Sequence, residues 1–202
     1  MVHSGEDFAL RAGAERDVPD LVRVDGSFSN EWLLYIERRG GLAEQTIQLR
    51  WRKARPAGSR RGYCQGADPN SSTTLDQLVS DLGRSERLIV AEAGGCIAGY
   101  LMLAPNWNET AELTAIIVDR AHRRRGIGRR FVQEAESYAR ERGLRAAQWE
   151  TQNDNRNAIE FAIAQGFRIA GFQDALYRNR GAEHQLAPDF RGVALSLVKE
   201  LD

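Results

Sequence analysis

The stretch IIVDRAHRRRGIGRRF, residues 116–131, decides the fold of this chain. It begins as an apolar strand and continues into a segment with six arginines, at 120, 123, 124, 125, 129 and 130, and two glycines, at 126 and 128. From Ile127 onward apolar residues recur at helical spacing, so the glycines stand where a helix begins. Backbone N–H groups at a helix start attract anions, and arginines add positive charge for phosphates. The stretch therefore predicts a pyrophosphate-binding loop, although a solvated, arginine-rich helix start would have the same composition.

Regular patterns surround this stretch in the second half of the chain. Apolar runs predict strands at 87–93, 96–104, 111–118, 146–151, 167–172 and 193–198. A helix from Ile127 ends before Gly143, and a shorter helix is closed by Gly166. The order hairpin, strand, helix, strand, helix, strand, strand predicts a mixed α/β sheet with at least one βαβ crossover. Cys96 is expected in a core strand.

The first half is less regular. Residues 8–11 read as a short strand, and Asp17 is predicted to cap a helix that runs to about Val24. Between positions 37 and 61, eight basic residues stand against two glutamates. The alternation of apolar and polar residues around Thr46–Trp51 predicts part of a hairpin, and the turn-forming residues predict a mobile loop over 55–74.

Composition excludes several classes of protein. The chain has 202 residues, 42% hydrophobic residues and no net charge, which fits one globular domain and not a polyanion-coating protein. Two cysteines and three scattered histidines give no support for a disulfide scaffold or a metal site. Neither GxxxxGK[ST] nor GxGxxG follows a strand, so a P-loop or a Rossmann site is not indicated. No apolar run or leader pattern indicates a membrane span or a signal peptide, and a cytoplasmic location is predicted.

Two motifs carry a resemblance to a known superfamily. Arg123-x-x-Gly126-x-Gly128 follows a strand, and Asn155-x-x-Ala158 precedes Gly166-Phe167 after a strand that ends in Glu150-Thr151. Together, and in this order, they resemble the GCN5-related N-acetyltransferases, over about residues 87 to 200. A narrower resemblance, to streptothricin acetyltransferases, rests on Asp25-Gly26-Ser27-Phe28, Trp107-Asn108, Trp149-Glu150-Thr151 and Ala175-Leu176-Tyr177.

The resemblance implies a fold and a set of acetyl-CoA contacts. The expected fold is a single domain over 1–202, with a mixed, mostly antiparallel central sheet flanked by helices, a βαβ acetyl-CoA unit and a basic insertion near 37–74. The strand before the arginine-rich loop would splay from the next strand, and the pantetheine arm would lie in the gap. The implied contacts are Ile116, Ile117, Val118, Arg123, Arg124, Arg125, Gly126, Ile127, Gly128, Arg129, Arg130, Asn155 and Ala158.

The catalytic positions depart from the pattern of the relatives. Streptothricin acetyltransferases carry an acidic pair where this chain has Thr114 and Ala115, and a frequent tyrosine acid is replaced by Ala162. The substitutes that the sequence offers are Glu112, Glu150 and Tyr177. Each has a plainer alternative, which is a solvated edge carboxylate for Glu112, a structural hydrogen bond for Glu150 and a core tyrosine for Tyr177. Trp107 and Trp149 either line an acceptor pocket or pack in the core.

The resemblance implies transfer of an acetyl group from acetyl-CoA, without a metal, to an amine of a small molecule. Two alternatives stay open, which are a protein or aminoacyl-RNA acetyltransferase and an acyl-CoA-binding protein that has lost catalysis. Because the basic 37–61 segment would repel a polycation, an acceptor with few further positive charges is expected. Nucleic acid is not an expected partner, and the sequence leaves monomer and homodimer open.

Overall fold

The computed structural model describes residues 7–29, 31–41, 43–53, 60–61, 72–176 and 192–201. The backbone divides into two units. Unit 1 comprises Met1–Ser27, Gly62–Trp149 and Val198–Asp202, and unit 2 comprises Phe28–Arg61 and Glu150–Leu197. Tyr177 and most of the predicted 55–74 loop lie outside the described residues.

The described residues form β-strands, α-helices and two 3-10 turns. The strands are β1 (Ala9–Ala12), β2 (Phe28–Ser29), β3 (Trp32–Gly40), β4 (Gln45–Lys53), β5 (Arg60–Arg61), β6 (Arg87–Ala93), β7 (Cys96–Pro105), β8 (Thr110–Val118), β9 (Ala146–Gln152), β10 (Arg168–Gln173) and β11 (Ala194–Glu200). The helices are α1 (Val18–Leu21), α2 (Ser72–Arg84), α3 (Ile127–Glu141) and α4 (Arg156–Ala164), with 3-10 turns at Glu15–Asp17 and Arg120–His122. Among the described residues, no helix is long and apolar enough to cross a membrane.

The sheet of unit 1 has the strand order β1, β6, β7, β8, β9. The pairs β1–β6, β6–β7 and β7–β8 are antiparallel, whereas β8 and β9 are parallel and are joined by α3. A parallel pair joined through a helix is a βαβ unit. The predicted mixed, mostly antiparallel sheet with a βαβ crossover is therefore confirmed.

Helices cover both faces of this sheet. On one face, α1 and α2 pack with strand side chains in a buried cluster of Leu21, Val22, Val24, Leu78, Val90, Tyr100, Met102 and Ala115. On the other face, Phe131 of α3 packs over Gly99 of β7. A Cβ on Gly99 would stand 2.6 Å from the carbonyl oxygen of Ile117 and 3.3 Å from the Phe131 ring. Glycine at this position therefore allows the backbone of β8 to approach β7 closely, and it also leaves room for the Phe131 ring.

Unit 2 is built around a hairpin on a small core. β3 and β4 pair from Trp32↔Lys53 to Gly40↔Gln45, and β11 lies between β9 and β10 in the strand order. Because side chains alternate along a strand, one face of the hairpin carries Leu34, Ile36 and Trp51. These pack in a cluster with Ile159, Ile169, Phe172 and Leu195.

The structure corrects the sequence predictions for the first half of the chain. The predicted partial hairpin is a full one, since β3 is also a strand of nine residues. Helix α2 was not predicted, and it begins at Ser72, inside the expected loop. Arg60–Arg61 also lie in that expected loop, yet they pair with Phe28–Ser29. Cys96, expected in the core, is exposed because it is the first residue of β7 after the Gly94–Gly95 turn.

The helix predicted to begin at Asp17 is also different. α1 ends at Leu21, and the Asp17 side chain does not cap it. The Asp17 carboxylate is buried and accepts two hydrogen bonds from Arg11, at 2.8 and 2.9 Å, and one from the Ala14 N–H, at 2.8 Å. The hydrogen bonds from Arg11 lower the pKa of Asp17 from 3.8 to about 2. Asp17 therefore ties β1 to the following turn, and a long-range ion pair has replaced the expected local cap.

Replacing Asp17 by Asn is expected to lower the free energy of unfolding by about 2 kcal/mol at neutral pH. The pKa is lower in the folded chain than in the unfolded chain. The stabilisation is therefore complete above pH 4 and disappears as the pH falls from about 4 to about 2. Urea unfolding of both proteins across this pH range measures the effect.

Asp20→Asn is the matched control, because Asp20 forms an exposed pair with Arg23 at 3.2 Å. Exposed pairs contribute about 0–1 kcal/mol, so this variant should stay close to wild type. An equal loss of stability in both variants would show that burial of the Asp17 carboxylate does not increase its contribution to the free energy of unfolding.

Candidate functional site

The loop after β8 is anchored by Asp119. Its N–H donates to the carbonyl of Ala98 at 2.9 Å. Its carboxylate accepts from the N–H groups of Ala121, at 2.8 Å, and Asp25, at 2.9 Å. One side chain thus joins the end of β8, the 3-10 turn of the loop and the segment after α1, and the start of the loop is held in one conformation.

Asp25, which contributes to the streptothricin acetyltransferase resemblance, supports the same loop. The carbonyl oxygen of Asp25 accepts from the N–H of Arg120 at 2.9 Å and from Nη2 of Arg123 at 3.4 Å. Arg123 also donates from Nε to the carbonyl of Val118 at 3.1 Å. The Arg123 side chain therefore stabilises the loop, and its contact with a pyrophosphate stays a prediction.

The start of α3 has the features of an anion site. Gly126 is the N-cap residue, with φ of 92° in the left-handed region and no side-chain cap. The N–H groups of Ile127, Gly128 and Arg129 are in the first turn, where a helix offers no internal acceptors. A Cβ on Gly126 would meet no atom of the described residues within 4 Å, apart from the adjoining chain, so the space beside these donors is open among them. The side chains of Arg124, Arg125 and Arg129 are exposed around it. This arrangement can accept a pyrophosphate.

One edge of β8 is available beyond its middle. β8 pairs with β7 as far as Val118, but its pairing with β9 covers only Thr110–Leu113 opposite Ala146–Trp149. Within the described chain, residues Thr114–Val118 therefore have a strand partner on one side alone. Their backbone groups on the other side can bind an extended, amide-containing molecule. Ile116, Ile117 and Val118, predicted to contact the pantetheine arm, lie on this edge.

The edge begins at a β-bulge. Leu103 pairs with Leu113 and Met102 with Ala115, so Thr114 is an extra residue in β8. The Thr114 hydroxyl is 2.7 Å from that of Ser85, which follows α2. Thr114 and Ala115 are the positions where an acidic pair is expected from the resemblance. Thr114 is the bulge residue and contacts Ser85, and Ala115 is buried.

Glu112 lies on the same face of the sheet as Ala115. Glu112 is opposite Ala104 of β7 and Gln148 of β9. Because side chains alternate along a strand, Ala104 lies on the opposite face from Leu103, and this is the face that α2 covers. An edge position is excluded for Glu112, because β8 is paired on both sides here, and the side chain is partly exposed. Its catalytic role stays a prediction.

The two tryptophans proposed for an acceptor pocket, Trp107 and Trp149, differ in their exposure to solvent. Trp107 is 92% exposed in the turn between β7 and β8, so packing in the core is excluded for it. This turn is at the opposite end of β8 from the arginine-rich loop. Trp149 is partly buried in β9. The acceptor role of both stays a prediction, with less support for Trp107.

In unit 2, the second motif forms the start of α4. Asn155 is the N-cap, and its Oδ1 accepts from the N–H of Ala158 at 3.2 Å. Within the described chain the Nδ2 group of Asn155 has no acceptor, and it remains able to donate to a ligand. Glu150 is exposed near the end of β9. Ala162 is fully buried in α4. The predicted roles of Asn155, Ala158 and Glu150 are not decided by these contacts.

The positive charge of the hairpin is partly neutralised by ion pairs. Arg38 contacts Asp174 at 2.8 Å, and Glu37 pairs with both Arg39 and Arg52. Arg50 is exposed, and its hydrogen bond is to Gln48 at 2.8 Å. The repulsive field predicted from the sequence is therefore smaller than the count of basic residues implies.

The structure also shows contacts that the sequence analysis missed. The guanidinium of Arg156 stacks on Trp32, at 4.9 Å, and on Trp51, at 5.3 Å. A shallow pocket of about 240 Å³ beside it is lined by Glu31, Trp32, Arg156, Asn157 and Glu160. Trp32 pairs with Lys53 and Trp51 pairs with Leu34, so the two tryptophans are diagonal neighbours on one face of the hairpin. The presence of a tryptophan in each strand was the sequence signal for this cluster. Among the described residues, no group of three or more His, Cys, Asp or Glu side chains could hold a metal ion.

Comparisons with known proteins agree with the motifs. The family model described as "Acetyltransferase (GNAT) family" matches residues 44–167. A streptothricin acetyltransferase of Streptomyces lavendulae is 26% identical over 187 residues, which cover 91% of this chain and 93% of that protein. A streptothricin acetyltransferase of Escherichia coli is 29% identical over 84 residues, 42% of this chain and 48% of its own length.

Solved structures share the fold. A nourseothricin acetyltransferase superposes with a TM-score of 0.74 at 23% identity, covering 97% of this chain and 99% of that one. A Bacillus anthracis protein in complex with acetyl coenzyme A gives a TM-score of 0.70 at 22% identity, covering 96% and 98% of the two chains. These matches show the fold of this chain.

Proposed function

Since the chain belongs to the acetyltransferase (GNAT) family, we propose that it moves an acetyl group from acetyl-CoA to an amine of a small molecule. The observation that carries the proposal is that a free backbone edge, an arginine-rich loop and an uncapped helix start follow one another at the end of β8. The backbone edge opens after Leu113, and the strand leads into the arginine-rich loop and the uncapped start of α3. The N-cap glycine, the open space beside it and the exposed arginines fit a pyrophosphate, and the edge fits a pantetheine arm.

The residues have separate tasks in this proposal. Acetyl-CoA supplies an acetyl group activated as a thioester. Residues 123–130 bind its pyrophosphate, and the edge at Ile116–Val118 orients the arm. The acceptor amine must be unprotonated to react, and Glu112 and Glu150 are the candidate groups for its proton. Because Ala162 cannot donate a proton, Tyr177 is the candidate acid for the leaving thiolate.

The binding part of the proposal predicts stabilisation by acetyl-CoA. A ligand at 100 times its dissociation constant should add about 2.7 kcal/mol to the free energy of unfolding. Thermal unfolding with and without millimolar acetyl-CoA measures this effect, with acetate and free adenosine as controls. An unchanged melting temperature would refute the proposal.

The acceptor is proposed to be an amine with few additional positive charges. The similarity to streptothricin acetyltransferases supports an antibiotic-like amine, whereas the positive charge left on the hairpin opposes a polycation such as streptothricin. An amine that also bears a carboxylate or a phosphate fits both observations. An acceptor with a single amine, or with an amine and an anionic group, should therefore be acetylated with a higher kcat/KM than streptothricin.

Charge reversal tests this preference. Replacing Arg50, Arg52 and Lys53 by Glu should raise kcat/KM for streptothricin by about tenfold, because cations would be attracted instead of repelled. The control reverses three exposed arginines of unit 1, Arg16, Arg23 and Arg140, and gives the same change in net charge. If streptothricin is the best wild-type substrate and neither variant alters its kcat/KM, the charge argument is wrong and streptothricin is the natural acceptor.

The two units are proposed to form one acetyltransferase domain. The family match spans residues of both units, which supports the interpretation of 1–202 as one acetyltransferase domain. A cytoplasmic location is also proposed.

A further inference from the structure

Asn153, which follows β9, makes four hydrogen bonds with two distant residues of unit 2. It is 5% exposed. Its N–H donates to the carbonyl of Val193 at 3.0 Å, and its Oδ1 accepts from the N–H of Val193 at 2.9 Å. On the other side, its carbonyl accepts from the N–H of Leu34 at 2.9 Å, and its Nδ2 donates to the carbonyl of Leu34 at 3.1 Å.

The side-chain amide of Asn153 thus takes the place of a second peptide group. It satisfies one buried donor and one buried acceptor, which would otherwise lack a partner. Aspartate lacks the N–H donor, and glutamine is longer by one methylene group, so asparagine suits this position. Through this amide, β3, the residue before β11 and the turn after β9 are held together.

Asn153 lies inside the turn that presents Asn155. The N–H of Asn155 donates to the carbonyl of Gln152 at 3.0 Å, so Asn153 is one of the two central residues of that turn. Asn155 then caps α4 through Oδ1, and its Nδ2 group remains able to donate. The conformation of the turn therefore decides where this donor points.

We propose that Asn153 is a positioning residue for acetyl-CoA binding and acts through Asn155. This inference rests on the proposed function, because it assigns Asn155 to the bound molecule. It adds a residue that itself makes no contact with acetyl-CoA. Loss of the Asn153 amide releases the turn from Leu34 and Val193, so the Asn155 amide is no longer held at one place and coenzyme A binds less tightly.

A double-mutant cycle on the full chain tests the inference. Isothermal titration gives the Kd of coenzyme A for wild type, Asn153→Ala, Asn155→Ala and the double variant. Each single substitution should raise Kd about tenfold. The double variant should bind about as well as Asn155→Ala alone, since a residue that acts through Asn155 has no further effect without it. Asn157→Ala, an exposed asparagine of the same helix turn, is the matched control and should leave Kd unchanged.

Thermal unfolding separates positioning from stability. If Asn153→Ala does not fold, Asn153→Asp replaces it in the cycle, because it keeps the acceptor for the Val193 N–H. A lower melting temperature with an unchanged Kd would overturn the inference, and so would additive effects in the double variant. If wild type itself does not bind coenzyme A, the proposed function fails instead.

Discussion

The Gly126→Glu variant is expected to bind acetyl-CoA about 100-fold more weakly than wild type. The new carboxylate would stand beside the first-turn N–H groups of α3, where it would compete with the pyrophosphate and repel it. Apart from the adjoining chain, no atom of the described residues lies within 4 Å of the new Cβ, so the substitution creates no clash with them. Isothermal titration with acetyl-CoA measures the loss.

A variant at the other end of α3 serves as the control for backbone strain. Gly143 also has a positive φ, of 66°, and its Cβ position is equally open. Gly143→Glu therefore also places a glutamate at a positive φ and adds the same charge, but it is far from the first-turn donors, and its affinity should match wild type. Gly126→Asn separates the two causes further, since asparagine tolerates a positive φ and is neutral. Equal affinities for Gly126→Glu and Gly143→Glu would place the pyrophosphate elsewhere.

The Tyr177→Phe variant is expected to lower kcat by about 100-fold with little change in the affinity for acetyl-CoA. The resemblance to streptothricin acetyltransferases places this tyrosine in Ala175-Leu176-Tyr177, and the alternative family acid is absent because Ala162 occupies its position. Removing one hydroxyl should affect proton donation to the thiolate, and steady-state kinetics of thiol release measure it.

The same change elsewhere in the chain provides the control. Tyr35→Phe keeps the ring on which Arg52 stacks at 5.1 Å and removes a hydroxyl from the hairpin, so kcat should stay near the wild-type value. Wild-type kcat in Tyr177→Phe would assign the proton to water and leave Tyr177 without a catalytic role.

The second half of the fold was predictable because its signals are local. Strands β6 to β11 and helices α3 and α4 correspond to apolar runs and helical spacings that end at glycines. In the first half, turn-forming residues obscured two elements. Leu75, Leu78, Val79 and Leu82 have helical spacing within α2, but they follow a long stretch rich in glycine, proline and serine. The strand β3 contains the apolar run 32–36 and ends at Gly40–Gly41, and this local signal was missed because the basic residues that follow drew the segment into the expected insertion.

Several assignments depended on partners that lie far away in the chain. Asp17 has the position of a helix cap, yet Arg11 binds its carboxylate and the helix is short. Glu112 has the pattern of an edge residue, and only the pairing on both sides of β8 shows that it is interior. Trp107, which is typical of a core or a pocket, is exposed on a turn.

Local signals were enough to predict the strand, the arginine-rich loop and the helix start of residues 116–131, because φ preference, charge and apolar spacing act within a few residues. The contacts that support these elements come from distant parts of the chain and could not be predicted in this way. Asp119 meets the N–H of Asp25 across 94 positions, and Asn153 meets the carbonyl of Leu34 across 119. Such contacts form only when distant segments pack together, since a buried donor or acceptor takes whichever partner the fold brings within reach.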